Sequence, residues 1–452
     1  MARLPLFERR LDDVTTEDLT RLAAVSEGWY VEFKRQVPNA GSIAKSISAF
    51  ANHFGGWVFY GVEDERARRN GAAPFPGVPA AEVPALVARI RDAARVQISP
   101  TPFFELRAIE GPADTIGLPA GRAIIVVDVS EGANAPYIHG SGRIYRRVAD
   151  ASDPKHETDR SVLDMLVERT RRKREGLAET LRRTPRLSND ESKMSYLQLF
   201  LLADPLGDRG CGTTLTFNEF ATIMAAGDSR AGGMPFDTAH PSAAGYVARM
   251  VGRNEGLLRL LAWDHDPAGT SIVTIPFRTM SLFETNGYYQ TQRFTRLCAA
   301  KKIGPEYKYV LDLNLLPWVI GGCVKKHWAL AAAGGVPGPF YAKVHAVNVW
   351  RRIPFLDTAA FIAYIESHGV PVIQDEDAFA PPGVTVESLL EVASGPTEDE
   401  GDEMVTRIGL EILAEVFVAL GLPWQIIAAD AEDFFNAVAR GSRVYAGVPG
   451  HP

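Results

Sequence analysis

WYVEFKRQVPNAGSIAKSISAFANHFGGWVFYGVED, residues 29–64, decides how the first part of this chain folds. Over Trp29–Arg35 the apolar Val31 and Phe33 alternate with Tyr30, Glu32 and Lys34, the period of two of a half-buried strand. That period sets Glu32 and Lys34 side by side on one face. Ser42 can cap a helix in which Ile43, Ile47, Phe50, Ala51 and Phe54 recur at helical spacing, and Gly55-Gly56 supplies the stop. Trp57–Val62 is then a continuous apolar run, read as a buried strand that ends in the acidic turn Glu63-Asp64-Glu65. Strand, helix and strand follow one another, with carboxylates gathered at a strand's end.

Outward from this stretch, a helix is expected over Thr15–Ala24 with Thr15 or Thr16 as its cap, and another over Glu82–Val96. Pro102–Ile109 and Arg122–Val129 read as strands, and Arg143–Val148 as a short strand with Arg143, Tyr145 and Arg147 on one face. Asp159–Arg183 reads as one long basic helix, and Thr184–Asp190 as a linker. Beyond it, Tyr196–Leu202, Gly245–Ala262 and Leu282–Ala300 suggest helices, Thr270–Phe277 a strand, Ala331–Pro339 a loop, and Gly395–Glu403 a solvated acidic loop. Ile408, Ile412, Leu413, Val416, Phe417 and Leu420 mark a helix ended by Gly421 and Pro423. The expectation is an α/β (α+β) chain: a domain over 1–155 with a mixed sheet and flanking helices, a basic helix and linker over 156–190, and a mostly helical α/β domain over 191–452. The last has no recognised fold, and the loop near 331–339 is a candidate division within it.

The 452 residues correspond to about two to four domains at roughly 100 to 200 residues each. Hydrophobic residues at 46% and charged residues at 23% exclude wholesale disorder, a collagen repeat or a coiled coil. Leu4–Phe7 is far short of a secretory apolar core, so a cytoplasmic location is expected. Leu315–Val324, interrupted by Pro317, falls short of the roughly 20 apolar residues a membrane span needs. Cys211, Cys298 and Cys323 are odd in number and far apart, which fits reduced thiols.

The net charge of −7 argues against a nucleic-acid partner until it is divided. Residues 1–190 hold 28 Lys and Arg against 26 Asp and Glu, leaving 20 against 29 for the remainder. Arg169, Arg171, Arg172, Lys173, Arg174, Arg182, Arg183 and Arg186 face only Glu175 and Glu179 in that stretch, a local basic stripe able to bind phosphates. A solvated helix face, or one packed on acids elsewhere, accounts for the same stripe.

Glu27, Glu32-Phe33-Lys34, the helix Ile47–Asn52 running into Gly55-Gly56, Gly61-Val62-Glu63-Asp64 and the closing Tyr145-Arg146-Arg147-Val148 together resemble the Schlafen AlbA-type domain, often labelled an ATP-binding or DNA-binding domain. The resemblance covers about residues 15–155. It implies a metal-dependent endoribonuclease acting on structured RNA such as tRNA, with Glu27, Glu32 and Asp64 as the catalytic carboxylates and metal ligands. Mg²⁺ or Mn²⁺ suits such oxygen ligands and can activate water for in-line displacement. Lys34, on the Glu32 face, would neutralise charge developing on the phosphate. The same pattern also belongs to family members described only as ATP-binding or DNA-binding regulators, so ATP is the ligand under that alternative. A plain surface ion pair between Glu32 and Lys34, worth about 0 to 1 kcal/mol, is a third reading.

Two residues depart from the family pattern: His53-Phe54 puts a bulky ring before the glycine turn, and Ala149 stands where a glycine is usual. Family nucleases pair two such lobes around RNA, and this chain shows one, so a homodimer is expected to supply the second. In a prokaryote, an anti-phage or toxin-like role would fit. Arg35, Lys45, Arg143, Tyr145, Arg147 and the Arg169–Arg174 run are the candidate nucleic-acid contacts. Tyr288, Tyr289, Arg293, Phe294 and Arg296, then Lys301, Lys302, Tyr307, Lys308 and Tyr309, interleave aromatic and basic residues, and core packing is the favoured explanation. Asp264-His265-Asp266 reads as a turn rather than a metal site, and no P-loop motif is present.

Overall fold

The computed structural model describes residues 7, 11–64, 73–148, 153–185, 193–207, 215–227, 236–250, 261–303, 310–335, 340–392 and 401–445. Two compact units are present: residues 1–176 with 206–211, and residues 177–205 with 212–452. Both mix helices and strands, as expected of an α+β chain.

In the first unit β1 (Val31–Lys34) runs parallel to β2 (Gly56–Tyr60), with Val31 opposite Trp57 and Lys34 opposite Tyr60. The crossover between them is α1 (Ala40–Ala51). Its cap is Asn39, whose Oδ1 accepts the Ser42 N–H at 2.9 Å, so the expected cap Ser42 is instead the donor one turn in. Gly55, at φ +73°, donates its N–H to the Phe50 carbonyl and stops the helix where the glycine pair predicts. A Cβ on Gly56 would lie 2.3 Å from the Phe50 ring, so this turn needs glycine for packing as well.

Next come β3 (Val78–Pro79), α2 (Val83–Gln97), β4 (Phe104–Glu110) and β5 (Arg122–Val129). β5 is the centre of the sheet and pairs antiparallel with β2, β3 and β4. One sheet face packs Val58, Tyr60, Ile125 and Val127 against Ile43, Ile47 and Phe50 of α1 and Ile90 of α2. The opposite face packs Phe33, Trp57, Phe59, Ile124 and Val126 against Val14, Leu19 and Leu22. Each fully buried apolar side chain contributes about 1.5 to 3 kcal/mol.

Because both faces are covered, β1 is not half-buried: Val31, Glu32 and Phe33 are all buried, and the alternation that looked like core against solvent separates two cores. The helix expected over Thr15–Ala24 is a 3-10 helix confined to Asp18–Ala24, and the Asp18 carboxylate accepts both the N–H and the hydroxyl of Thr15. The expected closing strand reduces to Tyr145–Arg146 paired with Lys155–His156, ahead of the long helix α3 (Arg160–Leu181).

Among the described residues, the second unit is built on an eight-stranded antiparallel sheet. Its central strand is β6 (Tyr196–Leu202), between the strands Thr270–Pro276 and Phe340–Val347. The helix expected over Tyr196–Leu202 is thus a strand. Every residue of it is buried, and an apolar run covered on both faces has no period by which to tell strand from helix. The helix expected over Gly245–Ala262 is also overturned at both ends, where the strands Gly245–Arg249 and Ala262–Asp266 pair with each other. Asp264-His265-Asp266, expected as a turn, lies on the strand Ala262–Asp266, and the turn begins only at Asp266, whose carbonyl accepts the Gly269 N–H. Leu282–Ala300 divides into a 3-10 helix, Leu282–Gly287, and a helix, Thr291–Ala300.

Tyr288 and Phe294 enter the core, as the packing explanation predicts, but Tyr289 is exposed, and Tyr307, Lys308 and Tyr309 lie outside the described residues, as do Cys211 and Glu65. Cys298 and Cys323 are free thiols, each pushed up to about 12 by burial. The apolar segment Leu315–Val324 starts the helix Leu316–Ala333, and among the described residues no helix is long and apolar enough to cross a membrane. Of the expected loop Ala331–Pro339, residues up to Ala333 belong to that helix.

Candidate nucleic-acid site

Glu32 points from β1 toward α1 with its side chain 1% exposed. Oε1 accepts from Ser46 Oγ at 2.9 Å and lies 3.0 Å from Lys34 Nζ, and Oε2 lies 2.9 Å from Arg147 Nη1. Arg147 is wholly buried. Its Nε and Nη2 donate to the Gly28 carbonyl at 3.0 and 2.7 Å, and its guanidinium lies 4.9 Å from the Phe50 ring centre. A buried carboxylate is tolerated only when paired and hydrogen-bonded, and here both oxygens are engaged. Arg147, expected among the phosphate contacts, is therefore an internal counter-ion.

Lys34 reaches the rim, 36% exposed. Glu27 stands beside the pair, its Oε1 accepting the Phe33 N–H at 2.8 Å. Burial raises the Glu27 pKa above the ordinary carboxylate value and outweighs the Phe33 bond and the attraction of Lys34. At the end of β2, the N–H groups of Gly61 and Val62 donate to the Lys34 carbonyl, which draws the acidic turn toward the end of β1. In that turn Glu63 is buried and pairs with Arg35 at 3.0 Å, while Asp64 is exposed. Arg35 keeps 65% of its side chain in solvent.

The expected metal ligands do not fit a cation as they stand. Glu32 already carries two cationic partners and a hydroxyl, and a divalent ion would compete with both charges. Among the described residues, no three Asp, Glu, His or Cys side chains gather as a metal site.

The remaining expected contacts divide between surface and interior. Arg143 is exposed, Tyr145 is buried, and Lys45 pairs with Asp153 at 2.7 Å and lies 5.3 Å from the Tyr145 ring centre. Arg169 caps α1: Nη1 donates to the His53 carbonyl at 2.9 Å and Nη2 to the Ala51 carbonyl at 3.1 Å, and it also pairs with Glu131. Arg171 and Arg172 both pair with Glu168 one turn earlier, which their hydrogen bonds hold at a pKa of about 2, and Arg171 also bonds Glu175. Arg174 donates to Asn134 at 3.1 Å, and Lys173 is half-buried. The basic stripe is thus largely balanced by its own helix and by α1. Gly55 and Gly56 close a packed turn, since a Cβ on Gly55 would lie 2.6 Å from the Val129 carbonyl oxygen.

His53 stacks on Trp29 at 4.7 Å and is lowered to a pKa of about 4 by burial, then by Arg146, Arg169 and Arg147, so it is neutral at physiological pH. Ser46, Arg89 and Arg122 were not singled out from sequence. Ser46 stands one turn after Ser42 on α1, and a serine among apolar helix positions was the available signal. In the second unit, Ser271 Oγ sits 2.9 Å from His265 Nδ1, 3.0 Å from His327 Nδ1 and 3.1 Å from Trp263 Nε1, all buried.

Residues 27–156 match the family model described as "Schlafen, AlbA_2". No curated protein matches this sequence. Among solved structures, the chain is similar to the crystal structure of the DIP2311 protein from Corynebacterium diphtheriae, a structural genomics target, at 18% identity and a TM-score of 0.20. That similarity covers 30% of this chain and 25% of that one, so the chain spans about a quarter of the structure it matches. The stretch that matches the Schlafen AlbA_2 family model, residues 27–156, holds the β1–α1–β2 crossover and the Tyr145–Arg146 ladder.

Proposed function

We propose that this domain binds the phosphate backbone of RNA, with a structured RNA such as tRNA as the first candidate, at the carboxyl ends of β1 and β2. The family match points to a nucleic-acid-related role. One observation carries the reading further: Arg147 neutralises Glu32 from inside. Lys34 can therefore exchange Glu32 for a phosphate oxygen without leaving a bare charge in the core. Arg35, the next residue, offers a second exposed cation at the same rim.

Cleavage is the second reading, favoured by Glu27. A carboxyl group with a raised pKa, beside a lysine and next to the rim, is suited to take up or hold a proton at a phosphodiester. In the metal-dependent endoribonuclease expected from the resemblance, Glu27, Glu32 and Asp64 would hold Mg²⁺ or Mn²⁺, which would supply an activated water, and Glu32 would have to be freed from Lys34. A homodimer would supply the second lobe around a folded RNA, and a defence or toxin-like role would follow from cleavage. A solution mass of one chain, with and without tRNA, would sink the dimer.

The test offers tRNA, single-stranded DNA, duplex DNA and ATP to the full chain, to Lys34→Met and to Glu27→Gln, with chelator or with Mg²⁺ or Mn²⁺. RNA binding that persists in chelator and weakens in the variant supports the binding reading, and no RNA binding in any condition sinks it. Cuts that need metal and vanish in Glu27→Gln support the nuclease. Preference for duplex DNA or for ATP returns the domain to the regulatory alternative.

A further inference from the structure

A pocket of about 460 Å³ opens beside the candidate site, between the segment after β1, β3 and the start of α2. Arg35, Arg89 and Arg122 line it, and Glu82 is the one carboxylate among its lining residues. Each arginine is anchored through one nitrogen. Arg89 Nη2 donates to the Val37 carbonyl at 2.8 Å, Arg122 Nη1 lies 3.5 Å from the Gly77 carbonyl, and Arg35 Nη1 lies 3.0 Å from Glu63. A guanidinium carries five N–H donors in a planar fork, so anchoring one nitrogen orients the group and leaves donors for a ligand. The wall between them is Gly77, at φ +63°, where a Cβ would lie 2.7 Å from Arg122 Cβ. Arg122 can therefore lie flat across bare backbone. The first turn of α2, which follows Glu82 directly, adds the positive end of its dipole.

Three forked cations against two carboxylates, Glu82 in the lining and Glu63 on Arg35, leave a net positive pocket, and forks in different planes suit a phosphate ester better than a carboxylate. The volume falls within the roughly 300 to 1,000 Å³ of small-molecule sites, enough for a nucleotide. We propose that this pocket binds the phosphate group of a nucleotide, either free or within a strand. In the strand case the proposal rests on the RNA reading and gives a neighbouring phosphate its own seat.

The full chain is titrated calorimetrically with AMP and with adenosine, and a short RNA is followed by anisotropy with AMP as competitor. AMP binds and adenosine does not. The double variant Arg89→Gln with Arg122→Gln weakens AMP by about tenfold or more, the loss expected of charge-assisted forks, while Glu82→Gln tightens it about two- to fivefold by removing the opposing charge. Adenosine binding as well as AMP overturns the proposal. So does an unchanged AMP affinity in a double variant that melts like the parent. Should the double variant not fold, Glu82→Gln decides, and unchanged affinity there overturns it. AMP displacing RNA assigns the pocket to the strand. AMP binding that needs both arginines while RNA is untouched assigns it to a free nucleotide. RNA binding insensitive to AMP and to the double variant, with no AMP bound, leaves the RNA reading standing and removes the pocket.

Discussion

Arg147 and Glu32, 115 residues apart in the chain, meet at 2.9 Å with neither side chain reaching solvent. Removing one partner of such a pair leaves an uncompensated buried charge, at a cost of about 3 to 5 kcal/mol. Arg147→Ala should lower unfolding stability by that order in a urea titration. Glu32→Gln with Arg147→Met should cost less than the sum of the single changes. A loss under about 1 kcal/mol in Arg147→Ala would show that Lys34 and Ser46 suffice to hold Glu32.

Gly55 and Gly142 both adopt positive φ, +73° and +76°, but only Gly55 is crowded. A Cβ at Gly55 meets the Val129 carbonyl and the Glu131 nitrogen, whereas at Gly142 nothing lies within 4 Å. Gly142→Ala should cost about 1 to 2 kcal/mol for the left-handed backbone alone. Gly55→Ala should cost clearly more, measured as paired denaturation midpoints, and equal losses would contradict the close approach.

The Glu27 carboxyl prefers its proton in the folded state, since burial raises its pKa above the unfolded value of 4.5. Its contribution is fully present below that value and is lost as pH rises through the folded pKa. Glu27→Gln keeps the shape without the titration. At neutral pH the variant should melt no lower than the parent, and the parent's decline on leaving mild acid should flatten. A steeper decline in the variant would reverse the sign.

His265 and His327 share Ser271 in the second unit, with burial lowering them to about 4 and about 3. Both stay neutral in the fold while the unfolded chain protonates near 6.5, so stability is present above that pH and is lost as pH falls from 6.5 toward 4. Each histidine contributes about 1.4 kcal/mol per pH unit over that window. Thermal midpoints should therefore drop between pH 7 and pH 5, and His327→Asn should reduce the slope. Identical midpoints at the two pH values would exclude buried neutral rings.

The β1–α1–β2 crossover was legible because each element carries its own period, and the shared face of Glu32 and Lys34 follows from the same alternation. The depth of Glu32 was not, since a period of two distinguishes faces without saying that both are covered. Nor could spacing show that Arg147 turns inward while Arg143, on the same expected face, stays out. That choice is made by the Gly28 carbonyl and the Phe50 ring, contacts from distant segments. In the second unit, leucine-rich Tyr196–Leu202 has good helix formers and no polar side to reveal a strand, and its identity comes from the ladders on either flank. The cap of α1 moved from Ser42 to Asn39 because both side chains suit the role and only the direction of the Ser42 N–H decides.

Arg169, which closes the last turn of α1, lies beyond the stretch the family shares, and Leu166 beside it completes the core under that helix. A piece that keeps the packing of α1 intact is therefore longer than its recognisable signature. A fragment cut at residue 156 would bare the Ala51 and His53 carbonyls and part of an apolar face, whereas one extended to 176 retains both Arg169 and Leu166.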